Sequence, residues 1–125
     1  MAELPKHRTI LLVEDDPDIR EGIADVLRDV GRTVVEAQDG ADALAKLDEV
    51  ERPCLILLDL MMPHMDGWEF LRRLNEHPHA EQFPVLVLSA HSSVSAANVY
   101  PGVLGTIQKP FEVRTLLGWV RQVCD

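Results

Sequence analysis

The stretch Cys54-Leu55-Ile56-Leu57-Leu58-Asp59-Leu60-Met61-Met62-Pro63-His64-Met65-Asp66-Gly67 decides the fold. An apolar run that ends in a carboxylate and then a loop bearing proline and glycine predicts a strand buried on both faces. Strands of that kind belong to parallel sheets, and in open parallel sheets ligands bind just beyond the carboxyl ends of the strands. Asp59 stands at such an end, so its carboxylate is placed for chemistry rather than for packing. A second apolar run, Thr9-Ile10-Leu11-Leu12-Val13, ends in Glu14-Asp15-Asp16. Two strands thus deliver carboxylates to one edge of a sheet, an arrangement that calls for a cation.

Working outward, strand and helix patterns alternate along the whole chain. Strands are predicted at about 8–13, 32–36, 54–58, 84–88 and 104–108, and helices at about 17–30, 40–49, 67–77, 93–99 and 112–124. Asp16 before Pro17 reads as an N-cap with proline in the first turn, and Gly31 as the stop. Ile19, Ile23, Leu27 and Val30 form an apolar stripe at helical spacing. Ala41, Leu44 and Leu47 are expected to face inward from the second helix, and Val113, Leu116, Leu117, Val120 and Val123 from the last. Asp66 is expected to cap the third helix. The fourth, with small polar residues and the early stop Pro101-Gly102, is expected to be short. Strict alternation implies an α/β fold, with a parallel sheet, right-handed crossovers and helices on both faces.

The 125 residues fit one domain, taken as 1–125, and 46% hydrophobic with 26% charged residues is ordinary for a globular chain. A formal net charge of −9 argues against nucleic acid or an anionic membrane as partner, since both need clustered Lys and Arg. No apolar stretch approaches the length of a membrane span, and the N-terminus lacks a signal-peptide core. Cys54 and Cys124 form no metal or disulfide pattern, which suits a reducing cytoplasm. Cys54 reads as a buried strand residue and Cys124 as a frayed terminal one.

Polar residues stand at four strand ends. They lie in Val13-Glu14-Asp15-Asp16, in Leu58-Asp59 with its loop to Gly67, in Leu88-Ser89-Ala90 and in Lys109-Pro110-Phe111. Together and in this order, over essentially the whole chain, these motifs resemble the receiver domain of two-component response regulators. The resemblance implies a flavodoxin-like, doubly wound five-stranded sheet of order 2-1-3-4-5 flanked by five helices. It also implies that Asp59 accepts a phosphoryl group from a histidine kinase or a histidine phosphotransfer protein. By the same resemblance Glu14, Asp15, Asp59 and the Met61 carbonyl would hold Mg²⁺. Ser89 would contact the phosphoryl group, Lys109 would pair with one of its oxygens, and the peptide before Pro110 would be cis. Such a domain is not an enzyme in the ordinary sense, although it assists its own phosphorylation and dephosphorylation. It would signal to a downstream protein target, with a homodimer through the fourth helix, fifth strand and fifth helix as a further possibility. The chemistry suits the residues: Mg²⁺ takes hard oxygen ligands and keeps waters, and phosphoryl transfer depends on positioning and charge.

Two departures fall on the signalling face. Thr106 stands where the family usually carries Tyr or Phe, and the stretch from Ser89 to Lys109 is about two residues shorter than is common for the family. They keep open an alternative, a pseudo-receiver that binds partners without phosphorylation. An aspartate-nucleophile phosphatase is disfavoured because Met61 stands where a second aspartate is needed. His77 and His79 offer a weak metal pattern, His91 could border the pocket, and Trp119 is either exposed for a partner or half buried.

Overall fold

The computed structural model describes residues 9–60, 66–89 and 100–124. Five parallel strands form one sheet in the order β2-β1-β3-β4-β5: β1 (Thr9–Val13), β2 (Thr33–Ala37), β3 (Cys54–Asp59), β4 (Val85–Ser89) and β5 (Val103–Gln108). Among the described residues four α-helices connect or follow them: α1 (Pro17–Asp29), α2 (Gly40–Lys46), α3 (Gly67–Asn75) and α4 (Val113–Cys124). The helix expected at 93–99 lies outside the described residues. A 3₁₀ turn at Ala80–Gln82 precedes β4 and was not foreseen.

The three central strands are buried along their whole length because they are apolar on both faces. Side chains alternate across the sheet and feed two cores. Leu11, Val13, Ile56, Leu58 and Val87 join Ala43 of α2, its C-cap Leu47, and Phe70 and Leu74 of α3 on one face. Ile10, Leu12, Leu55, Leu57 and Leu88 join Ala24, Leu27, Leu116 and Val120 of α1 and α4 on the other. Burying about 25 cal/mol per Å² of apolar surface on both faces is what makes the central strands the rigid frame.

The helix signals hold at their ends. Asp16 accepts from the N–H groups of Asp18 and Ile19, and Asp66 from that of Glu69. Gly31 follows α1 with φ of +88°, a conformation that glycine adopts without a Cβ clash. The inward faces differ from expectation. Ile19, Val30 and Val113 are 43%, 51% and 51% exposed, while Ala24 and Leu27 fill the contact under α1. Helical spacing identifies a face, but not how much of that face other elements cover. Ala41 is exposed as well, and α2 stops at Lys46, short of residue 49. Cys124 is not frayed: it is buried in the last turn of α4 against the second core. Cys54 is buried as expected, and burial pushes its thiol up to about 12. Trp119 is half buried, its ring lying over Gly105 of β5 where a Cβ would come within 2.6 Å of it.

Candidate functional site

Register alone brings the acidic residues together. Val13 of β1 stands opposite Leu58 of β3, so Glu14 and Asp59 follow side by side. Asp59 is paired in turn with Leu88, one residue before Ser89, and Ser89 with Gln108, one residue before Lys109. The sheet therefore delivers Glu14, Asp59, Ser89 and Lys109 to one edge. The Lys109 N–H donates to the Ser89 carbonyl at 2.7 Å, which extends the ladder past both strands. The Lys109–Pro110 peptide is cis.

Glu14, Asp59 and Ser89 are buried, and Asp15 is half buried. One carboxylate oxygen from each of Glu14, Asp15 and Asp59 lies within 4.8 Å of the others. Lys109 Nζ meets them, at 2.7 Å from Glu14 Oε1 and 3.8 Å from Asp59 Oδ2. The lysine is thus bonded to Glu14 and only near Asp59. Glu14 is held at four points: its N–H donates to the Ala37 carbonyl at 3.1 Å, its own carbonyl accepts from Arg20 Nη1 at 2.8 Å, Oε1 takes Lys109, and Oε2 accepts from the Asp16 N–H at 3.3 Å. Burial, then the neighbouring Glu14 carboxyl, raises the Asp15 carboxyl above its ordinary value, and Lys109 only partly opposes them.

A cluster of three carboxylates faced by one ammonium group retains a net negative charge. Its donors are all hard oxygens, which fits Mg²⁺ in kind and leaves coordination positions for water or phosphate oxygens.

Asp59 is fixed from behind as well. Gly67 opens α3 and its N–H donates to the Leu60 carbonyl at 2.9 Å. A Cβ on Gly67 would lie 2.6 Å from Leu60 Cα and 2.9 Å from the Asp59 carbonyl, so α3 approaches this closely only with glycine there. Met61 and His91 lie outside the described residues. Thr106 sits half buried on β5 opposite Val87. His77 is engaged elsewhere, with Nε2 at 3.1 Å from Asp48 Oδ1 and Nδ1 accepting the His79 N–H at 3.0 Å. Among the described residues, no group of three metal-ligating side chains forms around His77 and His79.

Arg20 escaped the reading of the sequence. A cation one turn past an N-cap, beside three successive acidic residues, was the available signal.

Beside the site, Ile19 and Ile23 of α1 face Pro110 and Phe111, and these residues line a predominantly apolar groove with Lys109 at one side.

The family model described as "Response regulator receiver domain" matches residues 10–121. The response regulator MprA of Mycolicibacterium vanbaalenii is 40% identical over 114 residues, which is 90% of this chain and 48% of that protein. The chain therefore spans about half the length of MprA. Among solved structures, chemotaxis protein CheY4 of Vibrio cholerae superposes with a TM-score of 0.83 at 31% identity, covering 92% of this chain and 97% of that one. Response regulator TrrA of Thermotoga maritima, solved in complex with Mg²⁺ and BeF, superposes with a TM-score of 0.81 at 25% identity, covering 93% and 98%.

Proposed function

Because the chain belongs to the receiver-domain family of two-component response regulators, we propose that it accepts a phosphoryl group on Asp59 and signals by the conformational change that follows. The family is a signalling module rather than a conventional enzyme. Residues 1–125 act as one such domain in this reading, at work in the cytoplasm. The observation that carries it is the convergence of Glu14, Asp15, Asp59 and Lys109 at one sheet edge.

Asp59 is the nucleophile: a carboxylate oxygen attacks the phosphorus of a phosphohistidine, and the imidazole leaves. Glu14, Asp15 and Asp59, with the Met61 carbonyl, would hold Mg²⁺, a role supported by the donor set here and by the Mg²⁺–BeF complex of TrrA. Bound there, the ion would offset the charge of the cluster and of the phosphoryl oxygens. Lys109, now on Glu14, has Asp59 within 3.8 Å and would turn to a phosphoryl oxygen. Ser89, buried on the adjacent strand end, would contact the same group. The four strand ends hold the backbones of these residues in place beforehand, so the main rearrangement at transfer would be the turn of the Lys109 side chain. The same residues would assist later hydrolysis of the acyl phosphate.

The partner is a histidine kinase or phosphotransfer protein. The groove of Ile19, Ile23, Pro110 and Phe111, opening beside Lys109, suits an apolar helix face of that partner. A downstream protein target, or a second copy, would read the face that includes β5 and α4.

Acetyl phosphate with Mg²⁺ should add one phosphoryl group to the wild type and none to Asp59→Asn, as read by intact-protein mass. Equal labelling of the variant would move the site elsewhere. Thr106, in place of the usual aromatic residue, favours a second reading as a pseudo-receiver. Amide NMR shifts that stay unchanged on adding Mg²⁺ and beryllofluoride would favour that reading.

A further inference from the structure

Arg20 lies four residues past the cap of α1, yet its guanidinium turns back out of the helix. Nη1 donates to the Glu14 carbonyl at 2.8 Å and Nε faces Glu36 Oε1 of β2 at 3.3 Å, with the side chain only 19% exposed. Glu36 is itself braced by Arg28 Nη2 at 3.2 Å. The Glu14 carbonyl belongs to the same planar peptide unit as the Asp15 N–H. Holding that oxygen therefore fixes the plane from which the Asp15 side chain departs. Glu14 is also held by β2 through its N–H and by Lys109 through its side chain, whereas Asp15 has left the sheet.

Resting on the reading of the acidic cluster as a Mg²⁺ site, we propose that Arg20 is a positioning residue for that site. Its fork, anchored on Glu36, aims the Glu14–Asp15 peptide so that the Asp15 carboxylate converges with those of Glu14 and Asp59. The role is geometric rather than electrostatic. Glu36 already compensates the guanidinium charge, and the contact Arg20 makes at the cluster is with the Glu14 backbone carbonyl.

The two possibilities differ in sign. Removing a positive charge beside an acidic cluster tightens cation binding, whereas removing the tether weakens it. Mg²⁺ titration by calorimetry, at a temperature where each protein is folded, should show Arg20→Ala and the charge-matched pair Arg20→Ala with Glu36→Gln binding about tenfold more weakly than the wild type, the usual scale for losing an outer-shell partner. Arg20→Lys keeps the charge but cannot bridge the Glu14 carbonyl and Glu36 in one planar fork, so its affinity should fall between. It also serves if the alanine variants fail to fold. In the metal-free proteins the Asp15 amide resonance should shift, while those of α3 stay in place. Variants that lose melting temperature but bind Mg²⁺ as the wild type does, or more tightly, overturn the proposal and leave Arg20 a brace between α1 and β2. A wild type that binds no Mg²⁺ at millimolar concentrations overturns the reading of the cluster, and the role of Arg20 with it.

Discussion

Asp59 owes its position to Gly67 as much as to its own strand. The Cβ of an alanine at residue 67 would press on Leu60 Cα and the Asp59 carbonyl, both backbone atoms that move only with the strand end itself. Gly105 makes a contrast. The atoms in the way there belong to the Trp119 ring, which can swing. Gly67→Ala should therefore cost about 2–3 kcal/mol in urea unfolding and shift the Asp59 amide resonance, while Gly105→Ala should cost about 1 kcal/mol and leave Asp59 undisturbed. The reverse order would mean that α3 docks on β3 less rigidly than these distances require. In the sequence, Gly67 marks the end of the loop that follows Asp59. Its actual duty is close approach between a helix and a strand end, and spacing along one chain segment does not reveal which atoms press from another.

At the scale of elements, capping and strand ends were legible because each is settled within a few residues. Asp16, Asp66 and Gly31 do what their local chemistry demands. Burial of helix faces was less legible, since Ile19 and Val113 depend on where the covering layer stops. The junction of α2 with β2 shows how such layers are tied. Asp42 accepts from the Gln38 N–H at 3.1 Å and from Lys46 Nζ at 3.0 Å, and Lys46 also donates to the Glu36 carbonyl at 2.6 Å. Burial alone would raise the Asp42 carboxyl, but the Lys46 and Gln38 hydrogen bonds outweigh it and hold it below its ordinary value. A carboxyl whose folded value lies below the unfolded one contributes its full stability above the unfolded value. That contribution is lost as pH falls through the folded value. Asp42→Asn should thus unfold more easily than the wild type at pH 7, by about 0.5–1 kcal/mol for a half-buried pair still screened by solvent. The two should converge below the carboxylate range. Denaturant midpoints measured from pH 7 down to pH 3 check this, and a gap that stays constant would assign the loss to geometry rather than charge.

For the whole molecule, the site was legible because a parallel sheet brings successive strand ends to one edge, so Asp59, Glu14, Ser89 and Lys109 could be placed together from their positions after apolar runs. What the chain pattern could not supply were contacts set by side-chain reach, such as Arg20 on Glu14 and Lys109 closer to Glu14 than to Asp59. The same limit hid the groove, because Ile19 belongs to an apolar stripe by spacing and lies 43% exposed beside Pro110 and Phe111. Placing an isoleucine in solvent at the rim of the proposed phosphorylation site has a consequence that separates chemistry from recognition. On the proposed reading, a small phosphodonor would need only the carboxylates, Ser89 and Lys109, whereas a phosphohistidine protein would also cover the groove. Ile19→Asp removes one apolar anchor and adds a charge, which should slow transfer from a phosphotransfer protein competent on the wild type by tenfold or more, a scale of about 1.4 kcal/mol and within reach of one interface anchor. Phosphorylation by acetyl phosphate should change by less than about twofold, because Ile19 carries no group assigned to the chemistry. Equal losses with both donors would show that the substitution disturbs Asp59 itself. No loss with either would place the docking surface on another face of the domain.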